Sequence, residues 1–158
     1  MIILILAGCH EQPHSPNPAE ITPGTFCALD GLRLNDYPGP KGQVHYSHGG
    51  IEFFSDTMEM LSIYLGSEPR ELIIAIYTQD MGKADWNKPE GNWIDARGAY
   101  YVMGSTLHGA LGPTLAPFAL EADAQAFSAR QGGTVLRFDQ VTRDMVDLSG
   151  GARHDQGM

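Results

Sequence analysis

The sequence predicts an α+β protein made of two similar small ββαβ units packed together. Three observations predict it. From about Thr25 the chain alternates strand-like and helix-like stretches, each closed by glycine or a polar turn signal. The order strand, acid-capped helix, glycine stop, strand occurs twice, once over 51–66 and 71–77 and again over 116–133 and 134–141. Finally, 158 residues suit one compact domain, or two small ones sharing a core.

Residues 1–9 (MIILILAGC) are too few to span a bilayer, which takes about 20 apolar residues. They read as the end of a secretory hydrophobic region. Leu6-Ala7-Gly8-Cys9 matches the bacterial lipobox, in which the cysteine, here Cys9, is acylated and becomes the mature N-terminus. No basic segment precedes it, so the start is read as truncated or misassigned. Residues 10–24 are rich in proline and polar side chains and read as a flexible tether. The chain is thus expected in the periplasm, held at a membrane by lipid.

The first unit is expected over 25–80. Residues 43–54 (QVHYSHGGIEFF) read as two strands interrupted at Gly49-Gly50. Ser55 or Asp56 caps a helix to about Leu65, with Glu59 as the capping-box acid. Met58, Leu61 and Leu65 share a helical face, and Gly66 stops the helix. Residues 71–79 (ELIIAIYTQ) read as a buried strand. The second unit is expected over 81–147. It begins with a strand at 93–102, a glycine-rich loop and a short strand at 115–119. A helix over 121–131 follows, its apolar side given by Ala122, Ala126, Ala129 and Phe127, and Gly132-Gly133 ends it. Residues 134–141 (TVLRFDQV) form the last strand, and 148–158 read as a loose tail.

Composition and motifs exclude several functions. A net charge of −9 with only ten Lys and Arg argues against nucleic acid, which needs a concentrated positive surface. The sequence contains no G-x-S-x-G, P-loop, H-E-x-x-H or C-x-x-C pattern. No coiled-coil pattern is present, and a monomer is expected. What the chain does supply is soft donor atoms. If Cys9 carries lipid, Cys27 is the one thiol of the folded part, in a compartment where thiols are oxidised or metal-bound. Met81 and Met103 lie in or beside loops, and His108 lies in a glycine-rich one. Met58 and Met60, on the helix, read as core filling, and His45 and His48 sit in a strand-like stretch. Thiolate and thioether suit Cu(I), whereas oxygen donors suit Mg or Ca. Cys27, Met81, Met103 and His108 are therefore the candidate metal ligands, and for Cys27 a buried structural cysteine or a reactive thiol remains the alternative. No carboxylate is in that set.

Several segments together resemble the NosL family of nitrous oxide reductase accessory lipoproteins. They include Phe26-Cys27 through Gly31, YPGPKGQ at 37–43, DMGKADW at 80–86, WIDAR at 93–97, AYYVMGS at 99–105, GALGPTLAPF at 109–118 and DAQA at 123–126. The likeness runs from about Cys27 to about Val141. It implies a fold of two ββαβ units and a periplasmic Cu(I) chaperone. Such a chaperone supplies copper to nitrous oxide reductase, docking on an ABC-type maturation complex of the same system. The family's thiol ligand carries over onto Cys27. The family often has Met where this chain has Leu32 and Leu111, so a thioether near the second of these loops must come from elsewhere. Met103 is the nearest candidate along the sequence. Two other readings compete. One is a docking or structural lipoprotein subunit in which Cys27 is merely buried. The other is a cysteine enzyme acting on a soft substrate, which needs a second thiol that Cys9 is poorly placed to give.

Overall fold

The computed structural model describes residues 15–66 and 72–149. The lipobox, the beginning of the expected tether, residues 67–71 and the expected tail from 150 lie outside the described residues. Strands β1 (Gly42–Tyr46), β2 (Ile51–Phe54) and β3 (Ile73–Gln79) surround helix α1 (Thr57–Gly66) in sequence, and a short β4 (Trp93–Asp95) follows. Strands β5 (Tyr100–Gly109) and β6 (Gly112–Phe118), helix α2 (Glu121–Gln131) and β7 (Thr134–Arg137) complete the chain. The first sheet has the order β2-β1-β3-β4 and the second β6-β5-β7, with antiparallel neighbours throughout. The protein is thus α+β, with two ββαβ arrangements in which the first strand is central.

The registers superimpose the two units residue by residue. Gly42 pairs with Phe54 and Thr78 in the first sheet, and Tyr100 pairs with Phe118 and Arg137 in the second. Phe54 and Phe118 are therefore equivalent, and each is fully buried. Each helix begins three residues later. Six residues beyond each phenylalanine stand Met60 and Ala124, facing the cores. Met60 lies directly over Gly42, where an added Cβ would stand 2.6 Å from the Met60 Cβ. The second unit has Tyr100 at the Gly42 position and Ala124 at the Met60 position. The bulk has moved from helix to strand, and such volume exchange keeps packing while erasing sequence identity.

Helix α1 packs against β1 and β2 and also against β6, while α2 covers the second sheet. The larger core accordingly mixes the units, joining Val44, Phe54, Leu61 and Ile76 to Tyr101 and Leu115. A smaller core under α2 holds Met81, Val102, Ala116, Phe118, Ala124 and Phe127.

Several local expectations are corrected. The strand expected over 93–102 is broken by a 3-10 turn at Ala96–Gly98, which Asp95 caps by accepting from the Arg97 amide. Its first part, β4, pairs with β3 in the first sheet. In α2 the buried side is Ala124 and Phe127, with Ala122, Ala126 and Ala129 exposed, because alanine side chains alone do not decide which face turns inward. The last strand ends at Arg137 and passes into a 3-10 turn at Phe138–Gln140. In α1 the buried apolar residues are Met60 and Leu61, with Thr57 and Glu59 buried beside them, and Met58 and Leu65 are half-buried.

Residues 16–20, expected within the tether, lie along the first sheet. The buried Gln43 side chain donates to Ala19 O at 3.0 Å and accepts from Ala19 N at 2.8 Å. The Tyr77 hydroxyl donates to Pro16 O, and Trp93 Nε1 donates to Glu20 at 3.4 Å. A buried Gln and a buried Tyr need such partners, and the segment's backbone provides them.

Candidate metal centre around Cys27

Cys27 sits in a loop before β1 that the backbone holds firmly. Its amide donates to Leu32 O at 2.8 Å, Gly31 N donates back to Cys27 O at 3.1 Å, and Ala28 N donates to Phe53 O at 2.8 Å. Asp30 closes the turn by accepting from Leu32 N at 2.8 Å. The thiol is 4% exposed. Its Sγ stands 3.3 Å from Glu59 Oε2, in the first turn of α1, and accepts from Leu29 N at 3.4 Å. The Ser55 hydroxyl lies 2.9 Å from both Asp30 Oδ2 and Glu59 Oε2. Cys27, Asp30 and Glu59 thus bring one donor atom each within 4.8 Å of one another, the one such group among the described residues.

The electrostatics of this group follow from burial. Burial pushes the Cys27 thiol above its ordinary range, so the neutral form is favoured in the free protein. Burial likewise raises Glu59 to about 7. Burial opposes charge on Asp30 too, but hydrogen bonds from the Leu32 amide, Cys27 and Ser55 outweigh it and hold Asp30 below the usual range. A single hydroxyl proton on Ser55 cannot serve two carboxylates. Protonated Glu59 donating to Ser55, with Ser55 donating to ionised Asp30, satisfies all three. Beneath them Lys41 is 1% exposed, its Nζ donating to Pro38 O at 2.9 Å and Ser55 O at 3.1 Å. Burial lowers its pKa to about 8, against the pull of Asp56, Glu59 and Asp30.

Asp56 ties this region to the second unit. Its Oδ1 accepts from Met58 N at 2.8 Å, capping α1, and from Thr114 Oγ1 of β6 at 2.6 Å. Its buried Oδ2 faces the backbone at Gly109, where an added Cβ would stand 2.0 Å away. Only glycine fits there. Burial raises Asp56 to about 6. The β5–β6 hairpin is thereby held over the head of α1. Between them opens a cleft of about 420 Å³ lined by Asp56, Met58, Glu59, Leu111, Pro113, Asp147 and Leu148.

With this geometry, comparison with known proteins decides the family. The NosL family profile matches residues 18–146. The chain belongs to the NosL family. It is 39% identical over 153 residues to the copper-binding lipoprotein NosL of Stutzerimonas stutzeri, covering 94% of this chain and 80% of the relative. The copper-binding lipoprotein NosL of Achromobacter cycloclastes is 35% identical, with 91% and 78% covered. Among solved structures, the crystal structure of the copper chaperone NosL from Shewanella denitrificans superposes with a TM-score of 0.77 at 33% identity, covering 84% of this chain and 99% of that one.

Against the NosL-based expectation, the residues distribute as follows. Cys27 is in the larger core and Met81 in the smaller one. The repeat explains Met81. Its amide donates to Pro117 O as that of Ala28 donates to Phe53 O, so Met81 holds in the second unit the place of Ala28. Met103 lies on β5 in the second sheet, 38% exposed. His108 is exposed near the end of β5, where its carbonyl accepts from Trp86 Nε1 at 3.0 Å. None of these three joins the group around Cys27. The residues that do, Asp30 and Glu59, were not expected there. Glu59 was legible only as a helix-capping acid, and its partner lies 32 residues away.

Proposed function

We propose that the protein is a periplasmic copper chaperone, anchored to a membrane through acylated Cys9, that carries Cu(I) on the Cys27 thiolate and is not an enzyme. The observation that carries this is the thiol of Cys27 held against Glu59 and Asp30 beside an open cleft, in a NosL-family chain whose relatives bear the description copper-binding lipoprotein. Thiolate sulfur is the donor suited to Cu(I), and the nearby carboxylates add negative charge that favours a cation. The thiolate, not the thiol, is the ligand. Metal binding therefore releases the thiol proton, and affinity falls as the pH is lowered. The recipient is nitrous oxide reductase, reached through an ABC-type maturation complex.

One observation favours a second reading, a docking subunit without metal: Cys27 is 4% exposed and packed in a core, as structural cysteines are. A Cu(I) titration with a competing chelator separates the two. It uses the full chain carrying Cys9→Ser, and the same chain with Cys27→Ala. One tight equivalent that disappears with Cys27 supports the chaperone. Binding that is absent, or unchanged by Cys27→Ala, refutes it. Zinc binding of equal strength would refute the preference for Cu(I).

A further inference from the structure

We propose that Met58 supplies the thioether of the copper site, receiving the metal in the cleft and holding it together with the Cys27 thiolate. The inference rests on the copper reading of Cys27 and deepens it. A nearly buried thiol cannot take up a metal without a path from solvent, and the cleft offers one through Glu59, which lines it and touches the Cys27 sulfur. Of its lining residues Met58 alone bears a soft donor, since Leu111, Pro113 and Leu148 are hydrocarbon and Asp56, Glu59 and Asp147 are hard oxygen donors. Met58 is half-buried, and it packs against the core cluster that contains Cys27. It therefore faces both the cleft and the interior. Its neighbour Glu59 reaches the Cys27 sulfur at 3.3 Å, which ties the same turn of α1 to the thiol. That turn is immobilised at its start, because Asp56 Oδ1 accepts from the Met58 amide at 2.8 Å.

The other described methionines are engaged elsewhere. Met60 is fully buried over Gly42, Met81 belongs to the core under α2, and Met103 stands on the second sheet. Met145 lies in the 3-10 turn Arg143–Val146 and is not among the residues of the cleft. A thioether is neutral at every pH and carries no proton. It can hold Cu(I) while the S–H bond of Cys27 breaks, the S–Cu bond forms and the thiol proton leaves to solvent. No change of oxidation state is involved. Two sulfur donors meet the low coordination number of Cu(I) and leave the cleft side open to an accepting ligand.

The test is a Cu(I) titration of the full chain carrying Cys9→Ser, labelled with methyl-13C methionine and followed by NMR under anaerobic conditions. Met58→Leu and Met103→Leu assign the two methyl signals, and both substitutions nearly conserve volume. On one equivalent of Cu(I) the Met58 methyl is expected to shift and the Met103 methyl to stay. Chelator competition is expected to show Met58→Leu weakened at least about tenfold and Met103→Leu unchanged. An unmoved Met58 methyl, or a Met58→Leu chain that keeps the parent affinity, overturns the proposal. If Cys27→Ala abolishes binding in that case, the copper reading survives and only the role of Met58 fails. If Cys27→Ala binds as the parent does, the copper reading itself fails.

Discussion

Replacing Asp56 by Asn tests the electrostatic account of the junction between the two units. Asn keeps an oxygen that can accept from Thr114 and Met58 but removes the ionisable carboxyl. Burial moves Asp56 from its ordinary 3.8 to about 6, a gap equivalent to about 3 kcal/mol as an upper estimate. The sign follows from proton binding. Between pH 4 and 6 the native state holds a proton that the unfolded chain has released, so this group's contribution to stability is fully present below pH 4. It is lost as the pH rises through about 6. Asp56→Asn has no such loss. Its stability relative to the parent should therefore improve by up to about 3 kcal/mol between pH 4 and pH 7.5. Urea unfolding of Cys9→Ser chains, followed by Trp86 and Trp93 fluorescence across that range, measures the difference. Taking the difference cancels groups that titrate alike in both chains. A difference independent of pH would mean that Asp56 ionises at its ordinary pKa in the native state, and the argument from burial would be refuted.

Other consequences of the packing can be measured the same way. Gly42→Ala places a methyl 2.6 Å from the Met60 Cβ and should cost about 1–3 kcal/mol in urea unfolding. Adding Met60→Ala should recover part of that loss, because the pair then approaches the arrangement of Tyr100 and Ala124; strictly additive losses would contradict the proposed equivalence. Gln43→Ala removes both hydrogen bonds that hold Ala19, so limited proteolysis within 15–20 should accelerate and stability should fall by about 1–3 kcal/mol. Cys27, buried and with its pKa raised, should react with Ellman's reagent many-fold more slowly in the native chain than in urea, and equal rates would show an open thiol.

Local pattern explains how much was legible beforehand. The strand pairs, both helices and their stops follow from alternation, capping acids and glycines near in sequence, so α1, α2 and the two ββαβ orders could be read directly. The break inside 93–102 could not, because β4 leaves its neighbours to pair with β3, a partner chosen by tertiary packing. The buried side of α2 was misread for a related reason. Alanine is indifferent to burial, and Phe127 with Ala124 turns inward because Phe118 and Val102 are there to receive them.

Residue identity and spacing were enough to show one thiol outside the lipobox, methionine and histidine donors without a catalytic motif, and a resemblance to the NosL family. Which side chains meet that thiol depends on packing between elements far apart in the chain. Asp30 is three residues from Cys27 and became a neighbour through a turn, while Glu59 arrives from another element 32 residues away. Met81 and Met103 read as loop candidates in the sequence, and the fold places Met81 in the core under α2 and Met103 on the second sheet. Proximity along the chain says which residues a turn can join. Which distant residues share a site depends on how β2, α1 and the β5–β6 hairpin pack around one core.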